Sequence, residues 1–334
     1  MKRFRLERFA SPQLIALISV LLLNWILFPN FFNVTWQDGR FFGSFIDVLN
    51  RGAPVAILAV GMTAVIATKG VDLSVGAIMA VCGAVAATLV VGGYPAPLAV
   101  AAALSMGLLC GLWNGFLVAV LDIQPIVATL VLMVAGRGIA QLITEGSIVT
   151  FNDPVLIFIG TGSFLGFPMA AVIAVVLMAL VTLLVRRTAI ALFVQAIGVN
   201  RAAASLAGIR SRMLLMLVYG LSGFCAAIAG VVVAADIRGA DANNAGLWLE
   251  LDAILAVVIG GTSLLGGKFS IPMAVVGALI IQAMNTGILV SGFPPEFNLV
   301  VKAGMIILIL LIQSPYAALP FKRRSAPTRK AVSK

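Results

Sequence analysis

Long apolar runs separated by short polar breaks dominate this chain. Their lengths match the roughly 20 residues that a helix needs to cross about 30 Å of hydrocarbon, where no water satisfies an open backbone. The pattern predicts ten spanning helices, near residues 14–34, 52–68, 73–92, 96–121, 125–145, 167–186, 213–235, 249–267, 270–291 and 297–316. We therefore expect an all-α, polytopic membrane protein with a single transmembrane domain over residues 14–316.

Charge predicts the orientation of these helices, because Lys and Arg accumulate in short cytoplasmic loops. With both termini in the cytoplasm, 17 of the 22 basic residues fall on that side, including those of the N-terminus (1–13) and the tail (317–334). Most acidic residues then lie on the opposite side. Ten crossings also return the chain to the side where it began. The net charge of +10 thus indicates topology and does not indicate nucleic-acid binding.

Composition excludes most enzyme classes. The chain has no His, so a His metal site and a His general base are both excluded. The segment 261–270 superficially resembles a phosphate-binding loop, but five residues separate Gly261 from Gly267, and Phe269 follows the Lys. We expect no catalytic residue, no metal and no cofactor in this chain, and no ATP binding by the chain itself.

Polar side chains within the apolar runs are candidates for a path through the bilayer, because buried amides and hydroxyls need partners or a wet cavity. The candidate path residues are Asn114, Gln141, Gln282, Asn285 and Thr286. The alternative is that these groups only satisfy one another between helices.

Three further features have structural interpretations. Asp72 is predicted to begin a helix and to cap the amides of residues 73–75. Arg137 must face protein, because a guanidinium in lipid costs on the order of 3 kcal/mol, and we expect it to bond helix carbonyls or a carboxylate such as Asp252. Gly107, Gly111 and Gly115, four residues apart, predict a smooth face for close helix packing.

Two polar segments lie between the predicted spans. Residues 186–212 form the longest cytoplasmic loop, with a helical core near 201–207 and an amphipathic character typical of a helix at the membrane surface. Residues 234–248 form an external loop rich in Asp and Asn that ends in Trp248, a residue type that often anchors a span at the interface.

Three motifs carry a family resemblance: GMT-x-VI-x-T-x-G-x-DLSVG at 61–76, AIG-x-N-x-x-AA-x-x-AGI at 196–209 and GTSL-x-GG at 261–267. Together they resemble the permease subunits of bacterial ABC importers for ribose, xylose and related monosaccharides, and the similarity extends over essentially the whole chain. Residues 235–261 and 285–298 most resemble permeases of galactofuranose importers. The chain departs from the family pattern at Lys69, where Gly is common.

The resemblance implies an ABC importer permease fold in the bacterial inner membrane, without covalent chemistry on the sugar. It also implies three partners: a second homologous permease, a cytoplasmic ATPase with two nucleotide-binding halves that uses ATP and Mg, and a periplasmic sugar-binding protein.

Candidate contact residues follow from these partners. Segment 188–210 is the expected ATPase-coupling segment, through Ala196, Gly198, Asn200, Arg201, Ala202, Ala203 and Gly208. The small residues among them would let a helix sit in a cleft of the ATPase. The expected docking residues for the binding protein are Asp241, Asn243, Asn244 and Trp248. The competing hypothesis is an ion-coupled secondary sugar transporter, which typically carries carboxylates at mid-membrane.

Overall fold

The computed structural model describes residues 11–37, 39–294 and 296–313. Outside this range lie the basic N-terminal segment 1–10, the end of the last predicted span and the predicted tail 317–334.

Helices make up most of the described chain. They are α1 Pro12–Leu27, α2 Ser44–Ala67, α3 Val75–Val91, α4 Ala96–Ala119, α5 Pro125–Ile143, α6 Pro154–Thr161, α7 Met169–Arg187, α8 Ile190–Val199, α9 Arg201–Leu206, α10 Ser211–Asp236, α11 Leu249–Ile259, α12 Ile271–Val290 and α13 Phe297–Gln313. Among the described residues, six of them are long and apolar enough to cross a membrane, namely α2, α4, α5, α7, α10 and α12.

Short strands join some helix ends in three antiparallel pairs, so the prediction of a purely helical chain was incomplete. The pairs are β1 Thr35–Gln37 with β2 Arg40–Phe42, β3 Val149–Thr150 with β6 Gly239–Ala240, and β4 Ser163–Phe164 with β5 Phe167–Pro168. In the β3–β6 pair, Val149 lies opposite Ala240. This pair fixes the loop after α10 beside the loop after α5.

Three predicted spans have different bounds in the structure. α1 ends at Leu27 because Pro29 disfavours helical backbone in the residue before it. α2 begins at Ser44, eight residues before its predicted start, because the polar residues of its first turns remain helical and face a cavity. α11 ends at Ile259, whereas its predicted span ends at 267. Soon after the helix end, Gly261 adopts a φ of +88°, which is not helical.

α2 is the central helix of the bundle. It packs against α7, α10, α11 and α12, and 78% of its most apolar window is buried. The corresponding shares for α5 and α7 are 28% and 22%, so these two helices are peripheral. The central position of α2 means that polar groups on it meet protein rather than lipid.

Small residues let α4 and α10 pack closely, which confirms the predicted role of the α4 glycines. A Cβ added to Gly111 would lie 3.0 Å from Gly220 Cα and 3.1 Å from Gly223 Cα. A Cβ on Gly115 would lie 2.7 Å from Met216 Cα. Backbone approaches this close need glycine, and they replace the hydrophobic drive that lipid removes.

Candidate functional site

A cavity of about 390 Å³ lies among α2, α10, α11, α12 and α13. Its size is within the range of small-molecule sites. Its apolar lining includes Val55 and Leu247. The polar and aromatic residues that line the cavity are Asn50, Arg51, Asp236, Trp248, Asp252, Gln282, Asn285 and Lys302. We call this space the outer cavity, because it opens near the loops opposite the basic segments.

An ion pair forms part of the wall of the outer cavity. Lys302 Nζ on α13 donates to Asp252 Oδ2 in the first turn of α11, at 2.7 Å. The Asp252 side chain is 6% exposed and the Lys302 side chain is 17% exposed. Two opposite charges paired at this distance cancel, so the pair adds polarity without adding net charge.

The α12 wall carries uncharged hydrogen-bonding groups. Gln282 lines the cavity, and its Nε2 lies 3.4 Å from the Oγ1 of Thr286, one helical turn away. Thr286, a predicted path residue, does not itself line the cavity. Asn285 also lines the cavity, and its Oδ1 is buried without a hydrogen-bond partner among the described residues. An unpartnered buried amide oxygen is costly, so Asn285 is suited to accept a hydrogen bond from a bound hydroxyl.

A smaller cavity of about 140 Å³ adjoins the outer cavity. It is lined by residues of β2, the start of α2 and the segment 160–168. Asn50 and Asp236 line both cavities and therefore stand between them. Asn50, Arg51, Asp236 and Lys302 were missed as candidate site residues from the sequence, although each is polar within or beside an apolar helix.

The external loop 239–248 is held from α5. Arg137 Nη1 donates to the backbone oxygens of Ala242 at 3.0 Å and Ala245 at 2.6 Å. The prediction that Arg137 faces protein is confirmed, but its carbonyl partners belong to a loop rather than a helix. The suggested pairing with Asp252 is wrong, because Lys302 occupies that carboxylate.

Polar side chains also fix the loop internally. Asp241 accepts from the backbone amides of Asn243 and Asn244 and from Asn244 Nδ2, the last at 2.8 Å. The side-chain bond from Asn244 lowers the pKa of Asp241. A lowered carboxyl pKa stabilises the loop at neutral pH, and that contribution is lost as the pH falls through the folded-state pKa. Gln141 Nε2 on α5 donates to Asn243 Oδ1 at 2.8 Å, so this side chain helps to hold the loop. It does not line the outer cavity.

Asn114 lies in a separate buried cluster, between α3, α4 and α10. Its Nδ2 donates to Ser74 Oγ at 2.8 Å, and Ser74 Oγ donates to Asp72 Oδ1 at 2.6 Å. Ser222 Oγ donates to Asp72 Oδ2 at 2.8 Å. Asn114 and Gln141 each bond to another polar side chain of the protein, as the alternative to a path through the bilayer predicted. Neither residue lines the outer cavity.

Asp72 caps a turn rather than a helix start. Its Oδ1 accepts from the amide of Ser74 at 3.1 Å, and α3 begins only at Val75. Of the three amides at 73–75 that Asp72 was predicted to cap, only that of Ser74 bonds to it, because the carboxylate also accepts from the hydroxyls of the buried cluster.

At the opposite end of the bundle, the segment 188–210 forms two helices, α8 and α9, that break at Asn200. Asn200 caps α9 by accepting from the amide of Ala203 at 3.0 Å. Gly198 lies within α8, a helix that precedes the predicted helical core at 201–207. It is buried against the carbonyl of Ala67, and an added Cβ would lie 2.7 Å from the amide nitrogen of Gly267.

Gly198 therefore faces the helix bundle, and its small size serves this contact rather than a cleft in a partner. The same junction includes the bond from Gly267 N to Ala67 O, at 2.9 Å, and that from Lys69 Nζ to Val199 O, at 3.1 Å. The three motifs of the chain thus meet at one place.

The outward surface of this segment is formed by α9. Ala202 and Ala203 are exposed, and Leu206, which sequence reasoning missed, is 91% exposed. Ala196 is half-buried, and Gly208 is exposed with a φ of +85°. An apolar side chain as exposed as that of Leu206, at the end of the bundle opposite the outer cavity, is typical of an interaction surface.

Arg201 does not point away from the protein. Its Nη1 donates to Asp122 Oδ1 at 2.8 Å and its Nη2 donates to Ala119 O at 2.9 Å. These bonds fasten α9 to the end of α4 and to the α4–α5 turn.

Comparison with known proteins identifies relatives over nearly the whole chain. Residues 44–310 match the family model described as "Branched-chain amino acid transport system / permease component". The chain is 61% identical to the galactofuranose transporter permease protein of Escherichia coli, over 94% of this chain and 92% of that protein.

Other relatives are more distant but cover similar lengths. The fructose import permease protein of Bifidobacterium longum is 41% identical, over 91% of this chain and 87% of that protein. The ribose import permease protein of Escherichia coli is 38% identical, over 91% of this chain and 93% of that protein. No solved structure matches the chain.

Proposed function

Because the chain belongs to the family of branched-chain amino acid transport system permease components, we propose that it is the permease subunit of an ATP-driven ABC importer for a monosaccharide, galactofuranose. Family membership makes it a multi-pass membrane protein and a non-catalytic transporter subunit. The observation that carries the choice of substrate is the 61% identity, over 94% of the chain, to a galactofuranose transporter permease.

The outer cavity supports this proposal by its chemistry. A monosaccharide is uncharged and carries hydroxyls that both donate and accept. Gln282, Asn285 and Asn50 offer amide groups of both kinds, Trp248 offers an aromatic face, and the charges of Asp252 and Lys302 cancel. Arg51 and Asp236, which also line the cavity, are opposite in charge, so the lining as a whole carries no net charge. We expect neutral amide groups to bind sugar hydroxyls weakly enough to release the substrate.

In the proposed path, the sugar enters from the side of the β-hairpins. It passes from the small cavity, between Asn50 and Asp236, into the outer cavity, where Gln282 and Asn285 bind it. Thr286 positions Gln282 from the adjacent turn. We propose ten crossings of the bacterial inner membrane with both termini in the cytoplasm, which puts the basic segments inside and these cavities towards the periplasm.

The proposed complex contains a second, homologous permease as heterodimer partner, an ATPase with two nucleotide-binding halves, and a periplasmic sugar-binding protein. The ATPase, which uses ATP and Mg, would contact the exposed face of α9, with Ala202, Ala203 and Leu206 at its centre. The binding protein would dock on the loop 239–248, whose fixed shape, maintained by Arg137, suits a rigid contact.

The test is uptake of labelled galactofuranose into proteoliposomes that contain both permeases and the ATPase, with binding protein outside and ATP inside. We expect uptake that requires ATP, and at least a tenfold loss on Asn285→Leu. Ser291→Ala, at the exposed end of the same helix, is the matched control and should transport normally. Uptake driven by an ion gradient without ATP would establish the secondary-transporter alternative instead, and normal uptake by Asn285→Leu would remove the outer cavity from the path.

A further inference from the structure

A third cavity, of about 160 Å³, lies at the opposite end of the bundle from the outer cavity. It is enclosed by the turn after α2, the α4–α5 turn, α9 and α10. The polar residues and the glycine that line it are Thr68, Gly70, Asp122, Gln124, Arg201 and Tyr219. At roughly 15 Å³ for each water-sized group, the space holds about ten such groups. We call it the inner cavity.

The floor of the inner cavity carries a hydroxyl without a partner. Tyr219 is fully buried, and its Oη has no hydrogen-bond partner among the described residues. The hydroxyl lies against Gly70, where an added Cβ would collide with it, and both residues line the cavity. A buried hydroxyl left unpaired costs about 1–3 kcal/mol, so this group favours an occupant that bonds to it.

The mouth of the inner cavity carries a donor, Arg201, and an acceptor, Asp122. Arg201 and Asp122 pair at 2.8 Å, and the Asp122 side chain is 81% exposed. A guanidinium has five donor hydrogens and a carboxylate about four acceptor positions, so both retain capacity after pairing. Gln124 adds an amide beside them. The lining therefore has no net charge and offers donors and acceptors at both ends, which suits a small neutral polyol rather than an ion.

We propose that the inner cavity is a second sugar-binding site, which takes the imported monosaccharide from the cytoplasm and slows further import. This inference rests on the proposed function and on the proposed orientation. A sugar that bonds to both Tyr219 and the Arg201–Asp122 pair would bridge α10, the α4–α5 turn and α9. Because α9 is the proposed contact with the ATPase, that bridge resists the movement of α9 that transport requires.

The experiment uses the complete transporter in proteoliposomes that contain ATP, loaded inside either with unlabelled galactofuranose or with sucrose at equal osmolarity. Initial uptake of labelled galactofuranose is then measured. For the unmodified permease we expect internal galactofuranose to lower the initial rate at least threefold relative to internal sucrose. Tyr219→Phe and Gln124→Leu should each abolish most of this inhibition, with unchanged rates in sucrose-loaded vesicles. Tyr94→Phe, at an exposed turn on the other side, is the matched control and should be inhibited like the unmodified chain.

The outcomes separate this inference from the proposed function. Absence of ATP-dependent uptake in sucrose-loaded vesicles refutes the proposed function and, with it, this site. Normal uptake that internal galactofuranose does not slow refutes the site alone. Inhibition that persists fully in Tyr219→Phe and in Gln124→Leu also refutes it, because the sugar then acts elsewhere.

Discussion

Removal of Lys302 should destabilise the protein more than removal of its partner Asp252. The two side chains form the 2.7 Å ion pair in the wall of the outer cavity. Lys302→Met leaves a carboxylate that is only 6% exposed, on a side chain too short to extend further towards solvent. Asp252→Asn leaves an ammonium on a long, flexible stem that is already 17% exposed and can extend towards solvent. The unequal reach of the two groups makes the two single substitutions unequal.

The magnitude follows from the distance and the burial. At 2.7 Å and an effective dielectric constant of about 20, the attraction is about 6 kcal/mol, and desolvation of both ions offsets most of it. Loss of one partner exposes the desolvation cost of the other. We expect Lys302→Met to cost about 3 kcal/mol of unfolding free energy and Asp252→Asn about 1–2 kcal/mol. The double variant should cost less than the sum by about 1–3 kcal/mol.

Thermal unfolding of the purified permease in one detergent provides the comparison. At about 2 °C for each kcal/mol in a chain of this size, Lys302→Met should lower the midpoint by about 6 °C, and the double variant should recover part of that loss. Ser291→Ala serves as the control for handling, since its side chain is exposed and outside the cavity.

Additive effects in the double variant would refute this reasoning, because they would mean that the two charges do not stabilise each other. A larger cost for Asp252→Asn than for Lys302→Met would refute the argument from side-chain reach.

Three further predictions concern the ends of the bundle. Gly198→Ala should lower the unfolding free energy by about 1–3 kcal/mol and reduce transport, because the added Cβ would collide with backbone atoms. Gly138→Ala is the control. An added Cβ there has no neighbouring atom within 4 Å, so this variant should be neutral or stabilising in the same thermal assay. Lys69→Gly should raise the unfolding free energy by up to about 1 kcal/mol, because Lys69 has a φ of +66° that Gly adopts without strain. A clear loss of stability would show that the bond from Lys69 Nζ to Val199 O outweighs the strain. Arg137→Gln should free the loop 239–248 and speed its amide hydrogen exchange by about thirtyfold, the equivalent of about 2 kcal/mol, whereas unchanged exchange would contradict the clamp.

The family was predictable from the sequence because its motifs are contiguous. The three short patterns predicted an importer permease, and the match to the family model over residues 44–310 confirms it. Their meeting at one junction was not predictable, because it depends on contacts between residues about 70 to 200 positions apart, such as Gly267 N to Ala67 O. The positive φ of Lys69 was not predictable either, because no sequence pattern reports a backbone angle.

The candidate site was predictable only in part, for a physical reason. Gln282 and Asn285 were identified as polar residues inside an apolar run, and both line the outer cavity. Asn114 shares that pattern but bonds to Ser74 instead. Polarity at membrane depth indicates that a side chain has a partner, and only the packing of the helices decides whether the partner is protein or ligand.

Helix α11 has a consequence for how the chain is made. Its 11 residues rise about 16 Å, roughly half the hydrocarbon thickness, and the glycine-rich stretch that follows is not helical. Backbone of this kind is tolerated at membrane depth only when protein covers it, and here the amide of Gly267 bonds to the carbonyl of Ala67 at the end of α2. The ribosome releases α2 about 200 residues earlier. During biosynthesis, α2 is therefore inserted into the membrane before α11 is made. We expect α11 to insert by packing against α2 rather than as an independent unit.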